Sequence, residues 1–162
     1  MTRQEATDFY RKHSKALYNT ALRIVRDTDE AEDIMQDTLM KYIGKGVRSA
    51  TDAQAAAWLR TTCVRLSIDF LRRRKKDFRK EVLDAEPEYE EAAPDVVPDV
   101  MQIRSAMERL PHPYALILDL VLIEGLDYAQ IARLTGQKEV TLRSWYSRGR
   151  AKLVNELKSI EI

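Results

Sequence analysis

The sequence predicts an all-α protein of two small helical domains. An N-terminal three-helix bundle and a C-terminal four-helix domain with a helix-turn-helix are joined by an acidic flexible linker. Three observations predict this. Apolar residues recur three and four apart along most of the chain, with no strand-like alternation. Only five of the 162 residues are glycine, and β-branched runs are few. Residues 81–100, EVLDAEPEYEEAAPDVVPDV, hold three prolines and eight acidic residues with no Lys or Arg, the composition of an extended connector. The boundaries are therefore 1–80, 81–100 and 101–162.

In the first domain, one helix is expected from about Gln4 to Val25. Phe9, Ala16, Leu17, Thr20, Ala21 and Ile24 keep helical spacing. Arg26-Asp27-Thr28 breaks the pattern, and Asp29 with Glu32 three residues on reads as a capping box. The second helix continues to about Ile43 with Ala31, Ile34, Met35, Thr38, Leu39 and Tyr42 inward, and Gly44 and Gly46 end it. Asp33, Gln36, Asp37 and Lys41 share its outer face. Lys45–Gln54 reads as a loop.

The long third helix, Ala55 to about Lys80, changes character along its length. Leu59, Cys63, Leu66 and Phe70 form one apolar stripe, and Val64, Ile68 and Leu71 a second. The remaining strip carries Trp58, Thr62, Arg65, Asp69 and Arg72, and past Phe70 comes Arg72-Arg73-Arg74-Lys75-Lys76. Such a helix suits nucleic acid; it equally suits a core helix with a solvated basic tail.

In the second domain, Asp99 caps a helix whose buried stripe is Val100, Ile103, Met107 and Leu110. Pro111-His112-Pro113 turns the chain. Tyr114–Ile123 is almost wholly apolar and reads as the central helix, stopped by Gly125. Asp127 caps a short helix, Tyr128–Leu134, which Gly136 terminates; the last helix runs from about Glu139 to near Ile160. Ala132, Gly136 and Leu142 fall at helix-turn-helix spacing: a small residue at the crossing, glycine in the turn, an apolar residue facing the core. The outward positions of the second helix are then Thr141, Arg143, Ser144, Ser147 and Arg148. Arginine pairs with guanine edges and hydroxyls with phosphates or bases, which points to DNA; a helical hairpin in an interaction domain is the other reading.

The formal net charge of +1 conceals segregation. Residues 1–80 hold 18 Lys/Arg against 11 Asp/Glu, or +7; residues 81–100 stand at −8; residues 101–162 hold nine against seven, or +2. The single cysteine, Cys63, excludes an internal disulfide or thiolate cluster, suits a reducing cytosol, and lies on the apolar stripe as a small hydrophobe. The charged N-terminus has no apolar signal core, and the run Ala115–Ile123 is too short to span a membrane. No clustered His, Cys-x-x-Cys or glycine-rich phosphate loop suggests a catalytic or metal site, so no cofactor is expected. His13 and His112 are expected at surface or turn positions, and the acidic residues on solvent faces or the linker.

Taken in order, EAEDIMQDTLMKYI, WLRTTCVRLSIDFLRRRKK, the acidic linker, and LPHPYALILDLVLIEGLDYAQIARLTGQKEVTLRSWYSRGRAKL resemble the extracytoplasmic-function sigma factors, compact bacterial transcription-initiation factors. The resemblance covers nearly the full length and implies a cytoplasmic, non-enzymatic protein that directs promoter recognition, melting and transcription initiation. It implies core RNA polymerase as partner of Asp33, Gln36 and Asp37. It implies that the loop Lys45–Asp52 captures a flipped base of the minus-ten element. Trp58, Arg60, Thr61, Arg65, Arg72 and Arg73 would hold the melted strand. Thr141, Arg143, Ser144, Ser147 and Arg148 would face the duplex minus-thirty-five element. The linker would thread the polymerase cleft, and an anti-sigma factor is a common partner in the family. A stand-alone helix-turn-helix regulator is the alternative.

Departures from the family concern specificity. Arg65 stands where Asn is usual, the capture loop lacks an aromatic residue, Lys138 replaces a usual Pro and Trp145 a usual Arg. Trp145 either contacts DNA or fills a buried position late in the helix-turn-helix.

Charge segregation alone gives a test. Neutralising the Asp and Glu residues of 81–100 is expected to raise the DNA affinity of the free protein at low salt, measured by duplex binding; unchanged affinity rejects self-inhibition by the linker.

Overall fold

The computed structural model describes residues 1–45, 50–74 and 99–159. The basic run past Arg74, the acidic stretch up to residue 98 and residues 46–49 of the expected capture loop lie outside the described residues. The described residues are all helix, turn and loop. The chain divides into two compact units, Met1–Arg73 and Arg74–Ile162.

The first unit packs three helices against one another: α1 (Arg3–Val25), α2 (Thr28–Lys45) and α3 (Asp52–Arg73). Each start is fixed locally. The Thr2 hydroxyl accepts from the Glu5 N–H at 3.1 Å, and Glu5 accepts from the Thr2 N–H at 2.8 Å. Thr51 and Gln54 make the same reciprocal pair at α3, at 3.2 and 3.0 Å. Each pair satisfies two backbone donors that the helix itself leaves open. At α2 the cap is Asp27, not Asp29. The Asp27 carboxylate accepts from the Asp29 and Glu30 N–H groups at 3.0 and 3.1 Å. Gly44 lies inside α2 instead of ending it.

The core of this unit is apolar and closed. All six residues expected inward on α2 are buried. Leu59, Cys63, Val64, Ile68 and Phe70 are buried on α3, while Leu66 and Leu71 are half-buried. Polar groups in this core turn inward onto backbone. Thr38 and Ser67 donate to the Ile34 and Cys63 carbonyls, each at 2.7 Å. The Cys63 thiol donates to the Leu17 carbonyl at 3.4 Å. Ala16, expected inward, is exposed, and Thr62, expected on the outer strip, is buried.

An aromatic ladder crosses the three helices at one end. His13 and Phe9 lie 4.6 Å apart, Phe9 stacks on Tyr42 at 4.9 Å, and Tyr42 meets the edge of Trp58 at 5.4 Å. Beside it Lys12 pairs with Asp52 at 2.9 Å, tying α1 to the first turn of α3.

Among the described residues the second unit contains four α-helices: α4 (Val100–Glu108), α5 (His112–Leu118), α6 (Tyr128–Thr135) and α7 (Glu139–Lys158). Helix α7 packs against the other three. Asp99 caps α4 through a reciprocal pair with Gln102. Its buried residue is Ala106; Val100, expected in the stripe, is 72% exposed. Pro111-His112-Pro113 starts α5, because proline is compatible with a first helical turn whose N–H groups lack intrahelical partners. Pro113–Leu120 is buried without interruption.

The expected single helix Tyr114–Ile123 changes register. Asp119–Ile123 is a π-helical turn, with the Glu124 N–H donating to the Asp119 carbonyl at 2.9 Å. Leu122 and Ile123 emerge at the surface after this turn. Asp119 itself is buried, contrary to the expectation that all acids sit in solvent.

Two helices meet closely where Gly149 of α7 crosses Tyr114 of α5. A Cβ on Gly149 would lie 3.2 Å from the Tyr114 Cβ and 3.4 Å from its carbonyl oxygen. Lys152, one turn on, is buried and places its ammonium 5.4 Å from the centre of the Tyr114 ring. Burial pulls the Lys152 ammonium below its ordinary pKa.

Replacing Gly149 by Ala sets helix propensity against crowding. Propensity favours Ala by about 1 kcal/mol, but overpacking costs about 1–3 kcal/mol, and the atoms in the way belong to a buried helix. Gly149→Ala is expected to destabilise the second unit by about 1 kcal/mol, read from its urea unfolding midpoint.

His13 gives the first unit a pH dependence. Burial first, then the Lys12 ammonium, hold its pKa below the ordinary 6.5, against an opposing pull from Asp52. The unfolded chain therefore protonates first, so this stabilisation is present above pH 6.5 and is lost as pH falls through the folded-state value. The hydrogen bond and charge of Lys12 hold Asp52 below its ordinary 3.8, so that pair survives the same window. Between about pH 7.5 and about pH 5.5, Tm is expected to fall more steeply in the native chain than in His13→Phe.

Candidate nucleic-acid interface

The outer face of α2 is built by the phase of its inner one. With Ala31, Ile34, Thr38 and Tyr42 in the core, Asp33, Gln36, Asp37 and Lys41 point away, and all four are exposed. The Gln36 amide donates to Glu32 at 3.5 Å. Met40, 65% exposed, adds an apolar spot to this acidic and amide face. Its period, one residue out of step with Leu39, was the available sequence signal.

On α3 the core leaves an outer strip through Arg65, Asp69 and Arg72, all exposed. Thr61 and Arg73 are exposed beside it, and Arg60 is exposed on a different face of the first half of the helix. Thr62 is absent from the strip because it turns into the core. Trp58 sits at the margin, half-buried. Its ring is engaged on an edge by Tyr42, and the Lys45 ammonium lies 4.8 Å from its centre. Lys45 ends α2 and Trp58 lies in the second turn of α3. The contact therefore draws together the two helix ends between which the expected capture loop runs. Its strength is that of a partly exposed cation–π pair, about 0.5–1 kcal/mol.

In the second unit α6 and α7 form the helix-turn-helix. Asp127 caps α6 with the Gln130 N–H at 2.7 Å, and Gln130 returns the bond to the Asp127 N–H at 2.9 Å. Gly136 follows α6 with φ +73°, a left-handed conformation that glycine adopts without a Cβ penalty, and its N–H donates to the Ala132 carbonyl at 2.9 Å. The buried residue of α6 is Ile131, while Ala132 is half-buried. Leu142 is buried on α7 as the spacing predicts.

This leaves Arg143, Ser147 and Arg148 exposed and Thr141 and Ser144 half-buried on the outward side of α7. Trp145 is buried, so its indole belongs to the core. Two residues that sequence reasoning passed over meet Arg143. Glu139 lies 3.6 Å from Nη2 of Arg143, and its guanidinium carbon is 5.1 Å from the centre of the Tyr128 ring. The spacing of Glu139 and Arg143 is the only sequence signal for this cluster; the Tyr128 contact depends on the crossing of α6 and α7.

Among the described residues no group of three His, Cys, Asp or Glu side chains is placed to hold a metal ion. No helix among them is long and apolar enough to cross a membrane.

The two units correspond to two known family descriptions. Residues 9–77 match Sigma-70 region 2, and residues 100–153 match Sigma-70, region 4. The ECF RNA polymerase sigma factor SigL of Mycobacterium tuberculosis is 32% identical over 141 residues, covering 83% of this chain and 78% of SigL. The RNA polymerase sigma factor SigV of Bacillus subtilis is 28% identical, over 82% of this chain and 78% of its own length. The ECF RNA polymerase sigma factor SigE of Mycolicibacterium smegmatis is 30% identical over 90% of this chain, which spans 59% of SigE. A solved structure of the sigma factor RpoE with the anti-sigma factor NepR from Bartonella quintana shares the fold. It has a TM-score of 0.52 and 23% identity, and the match covers 96% of this chain and 99% of that one. Sigma-70 regions 2 and 4, in that order and on two helical units, together with the likeness to SigL over most of both chains, make this chain a member of the extracytoplasmic-function family of RNA polymerase sigma factors.

Proposed function

We propose that this sigma factor divides promoter recognition between its two units, residues 1–80 and 101–162, and joins them through the acidic segment 81–100. The observation that carries the reading is the exposure of Arg60, Thr61, Arg65, Arg72 and Arg73 on a core-anchored helix, with Arg65 and Arg72 on one face and Asp69 the acid between them. Guanidinium groups on such a face track the phosphates of a melted minus-ten strand, with Trp58 at its margin. Arg65, midway along, makes the base contact. Arg72 and Arg73 supply attraction without sequence information.

The exposed face of α2, with Asp33, Gln36 and Asp37, docks on a basic surface of core RNA polymerase. Helix α7 enters the duplex major groove of the minus-thirty-five element with Thr141, Arg143, Ser144, Ser147 and Arg148. The chain acts in the cytoplasm as a specificity subunit, not as an enzyme; the polymerase makes the phosphodiester bonds. An anti-sigma factor is its expected regulator, as the complex of RpoE with NepR illustrates for a related fold.

The test is transcription with purified core polymerase. Asp33→Lys together with Asp37→Lys is expected to weaken core binding about tenfold or more, measured by competition for core, while duplex binding by the second unit is unchanged. Arg65→Asn is expected to alter minus-ten preference without altering core binding. Failure of the native chain to bind core would overturn the proposal in favour of a stand-alone regulator. Core binding that survives the double reversal would remove α2 as the docking face.

A further inference from the structure

We propose that Tyr128 and Glu139 are positioning residues that hold the guanidinium of Arg143 for a base edge, and so set the specificity of the second unit. The inference rests on the reading of α7 as the recognition helix.

The three side chains come from both helices of the motif. Tyr128 is the first residue of α6, directly after its Asp127 cap. Glu139 is the first residue of α7, and Arg143 lies one turn further on. The Tyr128 ring is itself met edge-on by Tyr146, with centroids 6.3 Å apart and planes at 79°. Tyr128 therefore contacts both Tyr146 and the arginine. The carboxylate of Glu139 meets Nη2 at 3.6 Å, so the donors on Nε and Nη1 lie outside that ion pair. A guanidinium held on one face and at one nitrogen still has donors for the O6 and N7 acceptors of guanine.

The sign of the charge argues for orientation over attraction. The outward face of α7 otherwise carries Arg143, Arg148 and Arg150, and a carboxylate at its first turn repels the phosphates that those arginines attract. Glu139 does complement the helix dipole, but any acidic residue in the first turn would do that. Only position 139 is four residues before Arg143, where a carboxylate reaches its guanidinium. The side chains of the pair are 58% and 47% exposed, so the pair is weak by itself. Combined with the Tyr128 face it restricts a side chain that otherwise samples many rotamers, and less is lost when the base contact forms.

The experiment uses the full chain bound to core polymerase and a duplex library randomised across the minus-thirty-five element. Arg143→Ala first identifies the base pair that Arg143 reads, with an expected loss of discrimination there of about tenfold or more. Glu139→Gln is expected to lower discrimination at that same base pair by about two- to fivefold, while raising affinity for random-sequence duplex. Tyr128→Leu is expected to give a similar loss of discrimination, and Tyr128→Phe to restore it, since the ring face and not the hydroxyl holds the cation. Glu139 is a surface residue, so its variant remains a test if Tyr128→Leu does not fold.

If Arg143→Ala changes no base preference, the reading of α7 fails. If it does, but Glu139→Gln and Tyr128→Leu leave discrimination intact, the positioning role fails and that reading stands. If Glu139→Gln shifts preference at a different base pair, Glu139 reads a base itself and the positioning role is overturned.

Discussion

A helical unit the size of Met1–Arg73 has room for one apolar core, and each of its helices can give that core only part of its circumference. The molecule's organisation depends on this division. On α3 Leu59, Cys63, Val64, Ile68 and Phe70 anchor the helix, and the face through Arg65, Asp69 and Arg72 remains in solvent. On α7, Leu142, Trp145 and Gly149 face the core while Arg143, Ser147 and Arg148 do not. The residues assigned to nucleic acid therefore stand on rigid elements without contributing much to their stability. Such a surface can change its base preference while the core stays the same.

Much of this was legible because a helical period commits both faces at once. Reading Ala31, Ile34, Met35, Thr38, Leu39 and Tyr42 as inward also placed Asp33, Gln36 and Asp37 outward, and both sets are where the period puts them. The misses have separate causes. Thr62 was read as polar and therefore outer, but a threonine in a helix can be sheltered by its neighbours. Val100 is the first residue of α4, and its apolar spacing with Ile103 and Met107 does not show that the helix start is exposed. The π-helical turn at Asp119–Ile123 shifts the phase of a wholly apolar run, and such a run carries no periodic signal from which a shift could be read. Asp27 and Asp29 are both plausible caps, and only the backbone geometry decides between them.

The least legible features are the contacts between helices. Trp58, expected to lie against a melted strand, contacts Tyr42 and Lys45 of α2. Arg143 shares its surroundings with Tyr128 and Glu139, neither of which is among the residues expected to face DNA. Tyr42, Lys45 and Tyr128 come from a neighbouring helix, which spacing along one helix cannot reveal; Glu139, four residues before Arg143, is the exception. The close crossing of Gly149 over Tyr114 belongs to the same class. Its sequence signal is a lone glycine inside a helix, a residue that local propensity alone disfavours.

The chain has two tryptophans, one in each unit. Trp58 is half-buried beside a lysine on α3, whereas Trp145 on α7 is enclosed in the core of the second unit. Their surroundings differ enough to make intrinsic fluorescence a two-channel signal. A variant retaining only Trp58 would report optically on events at the surface of the first unit. One retaining only Trp145 would report on the integrity of the second. The order in which the units engage a promoter thus becomes accessible in solution without an attached dye.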